Sequence, residues 1–497
     1  MKYLNTNTGV FVLLFIISFL IKFVLLKYNN FDGFYGQDSY AYFENSKVFI
    51  ESLYKFQIPP NFYWPIGFYI LTFIFNILTI GNTPLASLLV SITAGSLLPG
   101  ATYLLSLELT KEYFEKTKAK KISVYAGLII CFSGVMIKSG LVIMSDMPGL
   151  LFAVLSIYYF AKFLSDNKNR YILYTISFLS FSILIRYSNI LLIILFVIFF
   201  FATPHKKEVY NLKIVFLSLL AAFVIFSPQL YYIFKFGISY LRIEEGPGVW
   251  VTNWNPLNFF KRDFFTTDGT MNYRFWNLGY YFSFIFHPLY LSLFGLSFFA
   301  GLYFCLKNKL KNIILFILPW IFIYIIYLSG NPFQSGRYAL NYFPALAIIA
   351  SIGIFEININ ILYKNIFIII SLLLLLAYGL YHFNNFAADK NKDLKTIEYL
   401  NNNIQGNSLL LSFEITGAVN HYTKLENKDS YYFNAQTINQ LIHSSRKDVY
   451  MIIPESKIQT QWKGLTLERT YNYIKDNYYL FKISDINYYT IYKINRK

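Results

Sequence analysis

The chain has 497 residues, of which 56% are hydrophobic and only 14% are charged, and its mean hydropathy is +0.43. A soluble chain of this length carries about 25% charged residues, so the composition excludes an ordinary soluble protein and indicates a polytopic membrane protein. The formal net charge of +17 does not indicate a nucleic-acid partner, because cytoplasmic loops of membrane proteins collect Lys and Arg. The two cysteines, Cys131 and Cys305, lie inside apolar runs, which favours packing over a disulfide or a metal site.

Apolar segments of roughly 16–25 residues, the length that crosses a bilayer as a helix, recur along the chain. No small-residue cleavage site follows the first segment, so we expect it to remain as a membrane span. The predicted spans are 9–27, 84–107, 122–140, 147–164, 171–187, 188–203, 212–236, 279–306, 312–328, 338–357 and 363–382. A shorter apolar segment at 65–80 is the main topological ambiguity.

Charge in the short loops predicts the orientation. Each neighbouring pair of basic loops is separated by two spans, so all lie on one side, which the positive-inside rule makes cytoplasmic. These loops are 111–121, 162–170, 206–213 and 307–311. If 65–80 stays on the surface, the N-terminus is cytoplasmic and about eleven helices span; if it crosses, the N-terminus is outside and about twelve span. Its short length and its start at Pro65 favour the first arrangement.

This orientation gathers the unusual polar residues of the chain on the outer face. That face receives the loops 28–64, 138–147, 186–189, 237–278 and 329–337, and everything after about residue 384. The residues in question are Asp38, Asp146, Arg186, Arg337, and Asn253, Asp263 and Asp268 of the polar loop. The outer face is therefore the predicted working face.

The first outer loop, within the stretch 29–69, carries an acid followed by an amphipathic run. One side of the run has Glu44, Lys47, Glu51 and Lys55, and the other has Tyr42, Phe49 and Leu53. This pattern is typical of a helix lying along a membrane surface. The run ends at Pro59 and Pro60, before an aromatic segment that starts at Trp64 and Pro65.

Asp38 has two interpretations. A carboxylate at the lipid boundary can act as general base, taking a proton from an acceptor hydroxyl or amine that attacks a sugar carbon. Tyr42 follows one helical turn later and could face the same site. Because Asp38 directly precedes the amphipathic run, it also fits a helix N-cap, and considered alone the cap is favoured.

Asp146 lies in the sequence MSDMPG, where one span ends and the next begins. Pro148 fits the first turn of that next helix, so Asp146 also fits an N-cap, and Lys138 is close enough in sequence to be a local partner. Capping is compatible with function here, because a cap residue on the outer face can also point into a cleft.

Two arginines are candidates for binding a phosphate. Arg186, in SILIRYSNILLI, lies between apolar runs, where an arginine costs a few kcal/mol unless it reaches the interface or pairs. Arg337, in GNPFQSGRYALNYFP, lies at the outer mouth of a span. Each could simply snorkel at a helix end. Together on one face, they could bind a lipid-linked phosphate and stabilise it as it leaves.

Metal and nucleotide sites have little support in the sequence. His287, before Pro288 in an apolar span, fits a packed residue better than a metal ligand, and no spacing of His, Cys or acidic residues is typical of a metal site. We therefore predict no metal from the residues alone and leave a divalent cation open. No Gly-rich phosphate loop is present either, so an activated sugar is not expected to arrive as a nucleotide.

The tail from 385 to 497 has more charged and Asn residues, and its apolar runs shorten to strand length. Strands are predicted at SLLLSF, DVYMII, YYLFKI and YYTIYKI, and helices at KDLKTIEYLNNN and NAQTINQLIHSS. We predict a transmembrane domain over 1–384 and an α/β domain outside the cytoplasm over 385–497.

These motifs resemble the GT-C fold membrane glycosyltransferases, specifically the relatives of protein O-mannosyltransferases and the aminoarabinose transferase of lipid A. Asp38 in GQDSYAYF matches the acid of the first external loop, and YWPIGFY at 63–69 loosely matches the aromatic proline motif. Asp146, Arg186 in IRYSN and the Arg337–Tyr338 pair match later positions in the same order. The likeness covers about 30–360 of this chain.

The resemblance implies a polytopic α-helical GT-C fold, a polyprenyl-phosphate sugar donor and transfer to a lipid, glycan or protein acceptor. Transfer would occur on the external face and invert the anomeric carbon. Asp38 would be the base, Tyr42 and Asp146 would contact substrate, and Arg186 and Arg337 would bind phosphate. One departure is Trp64, because the family often has Lys or His immediately before the proline motif.

Two other classes remain as alternatives. A transporter or flippase of lipid-linked substrates would use the same hydrophobic frame and an intramembrane arginine, although paired half-helices in two repeated halves are not evident. A purely structural or assembly protein would be indicated by the absence of a polar cleft at the outer face.

Overall fold

The computed structural model describes residues 6–60, 62, 64–202, 212–237, 253–266, 269–430, 433–445 and 447–497. Parts of three predicted features lie outside these residues: Tyr63 of the aromatic motif, 206–211 of the third basic loop, and 238–252 and 267–268 of the polar loop, which include Asp268. The chain divides into two compact units. The first comprises Met1–Gly33, Tyr42–Phe260 and Phe275–Phe383, and the second comprises Phe34–Ala41, Lys261–Arg274 and Asn384–Lys497.

The chain up to residue 403 is mainly helical. Its helices are α1 Asn7–Asn29, α2 Gly36–Tyr54, α3 Gly67–Leu78, α4 Thr83–Thr110, α5 Lys116–Phe132, α6 Gly134–Leu141, α7 Asp146–Asp166, α8 Arg170–Ile185, α9 Leu192–Ala202, α10 Leu212–Phe236, α11 Asn277–Ser283, α12 Phe294–Lys307, α13 Lys311–Gly330, α14 Phe343–Glu356 and α15 Ile361–Asn403. Short 3-10 helices lie at Tyr187–Leu191, Pro256–Phe260 and Gly336–Tyr342, and a β-hairpin pairs β1 Asp263–Thr266 with β2 Gly269–Asn272.

Within the described ranges, seven helices are long and apolar enough to cross a membrane, and an eighth span results if α5 and α6 are taken together. Shorter apolar helices occupy the remaining predicted spans, so each predicted span contains an apolar helix. The protein is therefore a multi-pass membrane protein. α3 has 12 residues, about 18 Å at the usual helical rise, which is short of the roughly 30 Å hydrocarbon layer. This length favours a surface or re-entrant position for the segment 65–80.

The predicted span at 122–140 is bent by 57° between α5 and α6. Ser133, at the break, has an extended backbone, and its hydroxyl donates to the carbonyl of Leu289 at 2.7 Å. The backbone amide of Val135 donates to the same carbonyl at 3.2 Å. A Cβ at Gly134 would lie 2.6 Å from Cα of Gly379, so only glycine permits this close helix packing. The bend is thus stabilised by contacts with residues that are distant in the sequence.

The first unit is organised around α4, whose small residues allow close approach of neighbouring helices. A Cβ at Gly100 would lie 2.5 Å from the ring of Phe11. Gly95 and Gly140 face each other around the aliphatic chain of Lys22, whose ammonium group donates to the hydroxyl of Ser18 at 2.6 Å and the carbonyl of Gly95 at 3.2 Å. Small residues at such contacts are typical of helix packing in membranes.

The C-terminal part of the second unit is a five-stranded mixed sheet covered by helices. Its strands are β3 Leu409–Ser412, β4 Glu426–Asp429, β5 Val449–Ile453, β6 Tyr478–Ile486 and β7 Tyr489–Arg496, in the order β4-β3-β5-β7-β6. β3 is parallel to β4 and β5, whereas β7 is antiparallel to β5 and β6. The accompanying helices are α16 Thr416–Tyr422, α17 Ala435–Ser444, α18 Glu455–Ile458 and α19 Thr466–Asn477. The predicted α/β character of the tail is confirmed.

The core of this sheet domain is apolar on the face that the helices cover. Leu411 and Met451 from the sheet, Ile438 from α17 and Ile474 from α19 are each at most 2% exposed. α17 and α19 both have the strong helical amphipathicity that a helix packed on one face of a sheet requires.

Candidate active site

Asp146 is the first residue of α7, and Ser145 occupies the N-cap position, so the N-cap interpretation of Asp146 is wrong. Its side chain is only 4% exposed. The positive end of the helix dipole favours a carboxylate in this first turn. The structure pairs Asp146 with two arginines that are distant in sequence, whereas the sequence had indicated Lys138 as a local partner.

Arg186 lies at a break in the helical backbone. α8 ends at Ile185, Arg186 is extended, and a 3-10 turn follows at Tyr187–Leu191. The Nη1 atom of Arg186 donates to Oδ1 of Asp146, and Nε donates to the hydroxyl of Ser188 at 3.2 Å. Arg186 is therefore held by an ion pair within the protein, which replaces the snorkelling interpretation.

The break next to Arg186 is fixed by a fully buried amide, that of Asn189. Its Nδ2 atom donates to the hydroxyl of Ser182 at 2.7 Å and to the carbonyl of Gly149 at 3.2 Å, and its Oδ1 accepts from the hydroxyl of Tyr324 at 3.1 Å. These contacts satisfy polar groups that the break would otherwise leave buried without partners. The amide thereby fixes the backbone from which Arg186 projects.

Arg337 approaches the same carboxylate from the 3-10 helix Gly336–Tyr342. Its Nε atom lies 3.7 Å from Oδ2 of Asp146, and its Nη1 atom lies 3.5 Å from the sulfur of Met144. The ring of Tyr338 contacts both arginines, with its centre 5.6 Å from Cζ of Arg186 and 5.5 Å from Cζ of Arg337. We call Asp146, Arg186, Arg337 and Tyr338 the arginine cluster.

Exposure within the arginine cluster rises from one side to the other. The side chains of Asp146, Arg186 and Arg337 are 4%, 14% and 30% exposed. Two guanidinium groups and one carboxylate leave a formal charge of +1 on these three residues. Guanidinium groups donate in a fork that matches phosphate oxygens. The arrangement is therefore suited to an anion that approaches from the side of Arg337.

Tyr42 contacts the beginning of α7 from α2. Its hydroxyl lies 2.7 Å from the hydroxyl of Ser145, the residue before Asp146. Its ring stacks on Trp64, with centroids 4.4 Å apart and planes 14° apart. Within the first unit, the structure thus brings together four of the five predicted site residues: Tyr42, Asp146, Arg186 and Arg337. It also adds an aromatic surface at Trp64.

Asp38 lies in the first turn of α2, two residues after the helix begins at Gly36, so the N-cap interpretation of Asp38 is also wrong. Its side chain is half-buried. Asp38 belongs to the second compact unit, whereas Tyr42, further along the same helix, belongs to the first. The amphipathic run itself forms as expected, because Tyr42 and Phe49 are buried while Lys47 and Glu51 are exposed. The chemical role of Asp38 stays a prediction.

Sequence reasoning did not assign roles to several residues that shape the arginine cluster. Tyr338 directly follows Arg337, and Ser188 and Asn189 lie two and three residues after Arg186, so their closeness in sequence was a usable signal. Tyr324 lies in an apolar span, and nothing in its local sequence distinguishes it. In the part of the chain that the structure describes, no three His, Cys, Asp or Glu side chains group as metal ligands would.

The fold is that of the GT-C membrane glycosyltransferases, which confirms the resemblance seen in the sequence. Residues 59–232 match the family model described as dolichyl-phosphate-mannose-protein mannosyltransferase. This stretch contains Trp64, Asp146 and Arg186. No curated protein sequence matches the chain.

Solved structures with the same fold cover nearly the whole chain. ArnT from Cupriavidus metallidurans in the apo state has 12% sequence identity and a TM-score of 0.66, with 98% of each chain covered. The same protein bound to undecaprenyl phosphate has 11% identity and a TM-score of 0.64, again with 98% of each chain covered. The oligosaccharyltransferase AglB from Archaeoglobus fulgidus, in complex with an inhibitory peptide and a dolichol-phosphate, has 12% identity and a TM-score of 0.59. That match covers 98% of this chain and 74% of AglB.

Proposed function

We propose that the protein is an inverting glycosyltransferase. It moves a monosaccharide from a polyprenyl-phosphate donor to an acceptor on the extracytoplasmic face of the membrane. The observation that carries this proposal is the arginine cluster, a partly open pair of guanidinium groups anchored on a buried carboxylate. The fold match to a protein bound to undecaprenyl phosphate and to one in complex with a dolichol-phosphate supports the same class of donor.

The charge of the arginine cluster suits the departure of a lipid phosphate. A polyprenyl-phosphate sugar is a phosphodiester with one negative charge, and the phosphate gains negative charge as its bond to the anomeric carbon breaks. Fixed cations near the phosphate stabilise the transition state more than the ground state, which is the condition for catalysis. Arg337, the more exposed arginine, would contact the phosphate, and Arg186 would add its charge beside it.

Asp38 is the proposed base. In the transfer step, a lone pair of the acceptor hydroxyl or amine attacks the anomeric carbon, and the acceptor proton moves to the Asp38 carboxylate. The bond from that carbon to the phosphate oxygen breaks, and its electron pair leaves with the polyprenyl phosphate. Attack opposite the leaving phosphate inverts the anomeric carbon.

Asp146 and Tyr42 have different proposed roles. Because both arginines contact the Asp146 carboxylate, we assign it to orienting them, in addition to the substrate contact predicted from the sequence. Tyr42, stacked on Trp64 and bonded to Ser145, would form part of the wall that contacts the substrate. Aromatic faces are suited to the apolar faces of sugars and isoprenoid chains.

The test is transfer from radiolabelled polyprenyl-phosphate monosaccharides to membrane acceptors by purified, reconstituted protein. We expect Asp38→Asn to lower transfer by at least about 100-fold, the lower limit of the typical range for general base catalysis. Binding of undecaprenyl phosphate should be retained, because the substitution leaves the arginine cluster intact. Asp32→Asn, in the same loop, is the matched control and should keep near wild-type transfer. Near wild-type transfer by Asp38→Asn would remove the role assigned to Asp38, and the absence of transfer from every donor would contradict the proposed function.

A further inference from the structure

The segment Phe34–Ala41 is here called the Asp38 turn. It belongs to the same compact unit as the C-terminal domain, residues Asn384–Lys497. Two of its own residues shape it: the hydroxyl of Ser39 accepts from the amide of Tyr35 at 2.7 Å and donates to the carbonyl of Tyr35 at 2.9 Å. Ser39 is fully buried, and Gly36 has a φ of +67°, which favours glycine at this position. The turn is thus a defined structure at the beginning of α2.

Gln37, adjacent to Asp38, is bonded to the C-terminal domain by both ends of its side-chain amide. Its Oε1 accepts from the backbone amide of Gly417 at 2.8 Å, and its Nε2 donates to the carbonyl of Glu414. The amide of Gly417 lies in the first turn of α16, where it has no partner within the helix. A single residue of the Asp38 turn therefore satisfies a donor and an acceptor of the segment that follows β3.

Aromatic contacts hold the same turn from a second side. The ring of Phe34, which is 1% exposed, stacks on Tyr40 at 5.0 Å and contacts His421 of α16 at 4.4 Å between ring centres. The ring of Tyr35 contacts Phe386 of α15 with centroids 3.8 Å apart. Residues on both sides of Asp38 are therefore packed against two helices of the second unit.

The fit between α16 and the turn leaves no space for a methyl group at Gly417. A Cβ there would lie 2.7 Å from Cδ2 of Tyr40 and 2.9 Å from Oε1 of Gln37. The carbonyl that accepts from Gln37 belongs to Glu414, whose φ of +62° sets the direction of the chain entering α16. A movement of α16 would thus be transmitted to the residues that flank Asp38.

We propose that the C-terminal domain positions the Asp38 carboxylate. Gln37 is the positioning residue, and Gly417, which has no side chain, leaves the space that Gln37 and Tyr40 occupy. This inference rests on the proposed function of Asp38 as base. A general base must lie within hydrogen-bond reach of the proton it removes. A displacement of about 1 Å in a catalytic group can cost on the order of 100-fold in rate.

The test compares Gly417→Ala with Gly406→Ala, because both glycines lie in the sheet domain but a Cβ at Gly406 would have no atom within 4 Å. We expect Gly417→Ala and Gln37→Ala to lower kcat by about 10- to 100-fold with an unchanged KM for the donor, since the reacting group is displaced while donor binding is not. Gln37→Glu, which keeps the acceptor for Gly417 but loses the donor to Glu414, should fall between wild type and Gln37→Ala. Gly406→Ala should behave as wild type.

A double variant separates positioning from general damage. If Gln37 acts through Asp38, then Gln37→Ala should have little further effect in the Asp38→Asn background, because coupled residues are not additive. An equal loss in both backgrounds, or a rise in KM without a fall in kcat, would overturn the positioning role. If Gly417→Ala does not fold, Gln37→Ala carries the test alone. Wild-type transfer by Asp38→Asn would instead refute the proposed role of Asp38 as base. If Asp38→Asn is inactive but Gln37→Ala and Gly417→Ala are fully active, only the positioning role is refuted.

Discussion

The arginine cluster and the Asp38 turn are held by opposite kinds of interaction. In the arginine cluster, charges compensate one another in a mostly buried setting, where the carboxylate of Asp146 contacts both arginines. In the Asp38 turn, the contacts that fix Gln37, Phe34 and Ser39 are mainly neutral hydrogen bonds and aromatic contacts. Removing one charge should therefore destabilise the whole arginine cluster. Substitutions in the Asp38 turn should have smaller effects that depend on how many contacts are lost.

The largest expected effect is that of Asp146→Asn. This change keeps the shape of the side chain but leaves two neighbouring guanidinium groups without their carboxylate. Breaking a buried ion pair costs about 3–5 kcal/mol, and the partial exposure of Arg337 places the expected loss in the free energy of unfolding near the lower limit. The measurement is the midpoint of thermal unfolding of the purified protein in detergent.

Asp166→Ala, at the other end of the same helix, is the control for Asp146→Asn. The side chain of Asp166 is 29% exposed and lies 3.6 Å from Lys111, so its loss should cost less than about 1 kcal/mol. Equal stability losses for Asp146→Asn and Asp166→Ala would show that the buried charges in the arginine cluster are not the dominant interaction there.

A smaller effect, dependent on pH, is expected from Lys390 beside the Asp38 turn. Lys390 is 4% exposed in the part of α15 that belongs to the second unit, where burial lowers its pKa to about 7 despite the opposing charge of Asp393. Its ammonium group lies 5.8 Å from the centre of Phe34 and donates to the hydroxyl of Tyr422 at 3.2 Å. Between about pH 7 and the ordinary pKa of 10.5, the unfolded chain binds this proton while the folded chain releases it. The contribution of Lys390 to the free energy of unfolding should therefore rise with pH across that window and be constant below it.

Lys390→Met isolates this contribution from other titrating groups. We expect the variant to unfold at a higher temperature than wild type at pH 7, with the difference shrinking as the pH rises to 9.5. Lys395→Met, an exposed lysine of the same helix, should show no such trend. A difference between Lys390→Met and wild type that is independent of pH would contradict the assigned desolvation of Lys390.

Hydropathy was sufficient to locate the apolar helices and the four predicted strands of the tail, because each is long or apolar enough to be recognised. The strand β4, with the sequence ENKD, was not predicted, since an edge strand of polar residues has no apolar periodicity. The bend at Ser133 was also missed, because it depends on a carbonyl more than 150 residues away.

The difference between local sequence patterns and contacts with distant residues also explains which site residues the sequence indicated. Arg186 and Arg337 stood out because charges at the ends of apolar runs are costly unless they pair or bind a ligand. The pairing of Asp146 with the two arginines was not predicted, since they are 40 and 191 residues away in the sequence. Gln37 had no signal at all, because its partners Glu414 and Gly417 are backbone groups that any sequence provides.

The central claim, that the arginine cluster binds the phosphate of a lipid-linked sugar, is tested most directly by titrating undecaprenyl phosphate into purified wild type and Arg337→Gln. The control is Arg170→Gln, which removes the same charge from an exposed position at the beginning of α8. Losing a hydrogen-bonding partner of a charged group costs about 1.5–3 kcal/mol, so we predict a fall in affinity of roughly 10- to 100-fold for Arg337→Gln and no comparable fall for Arg170→Gln. Equal affinities for wild type and Arg337→Gln would contradict the claim.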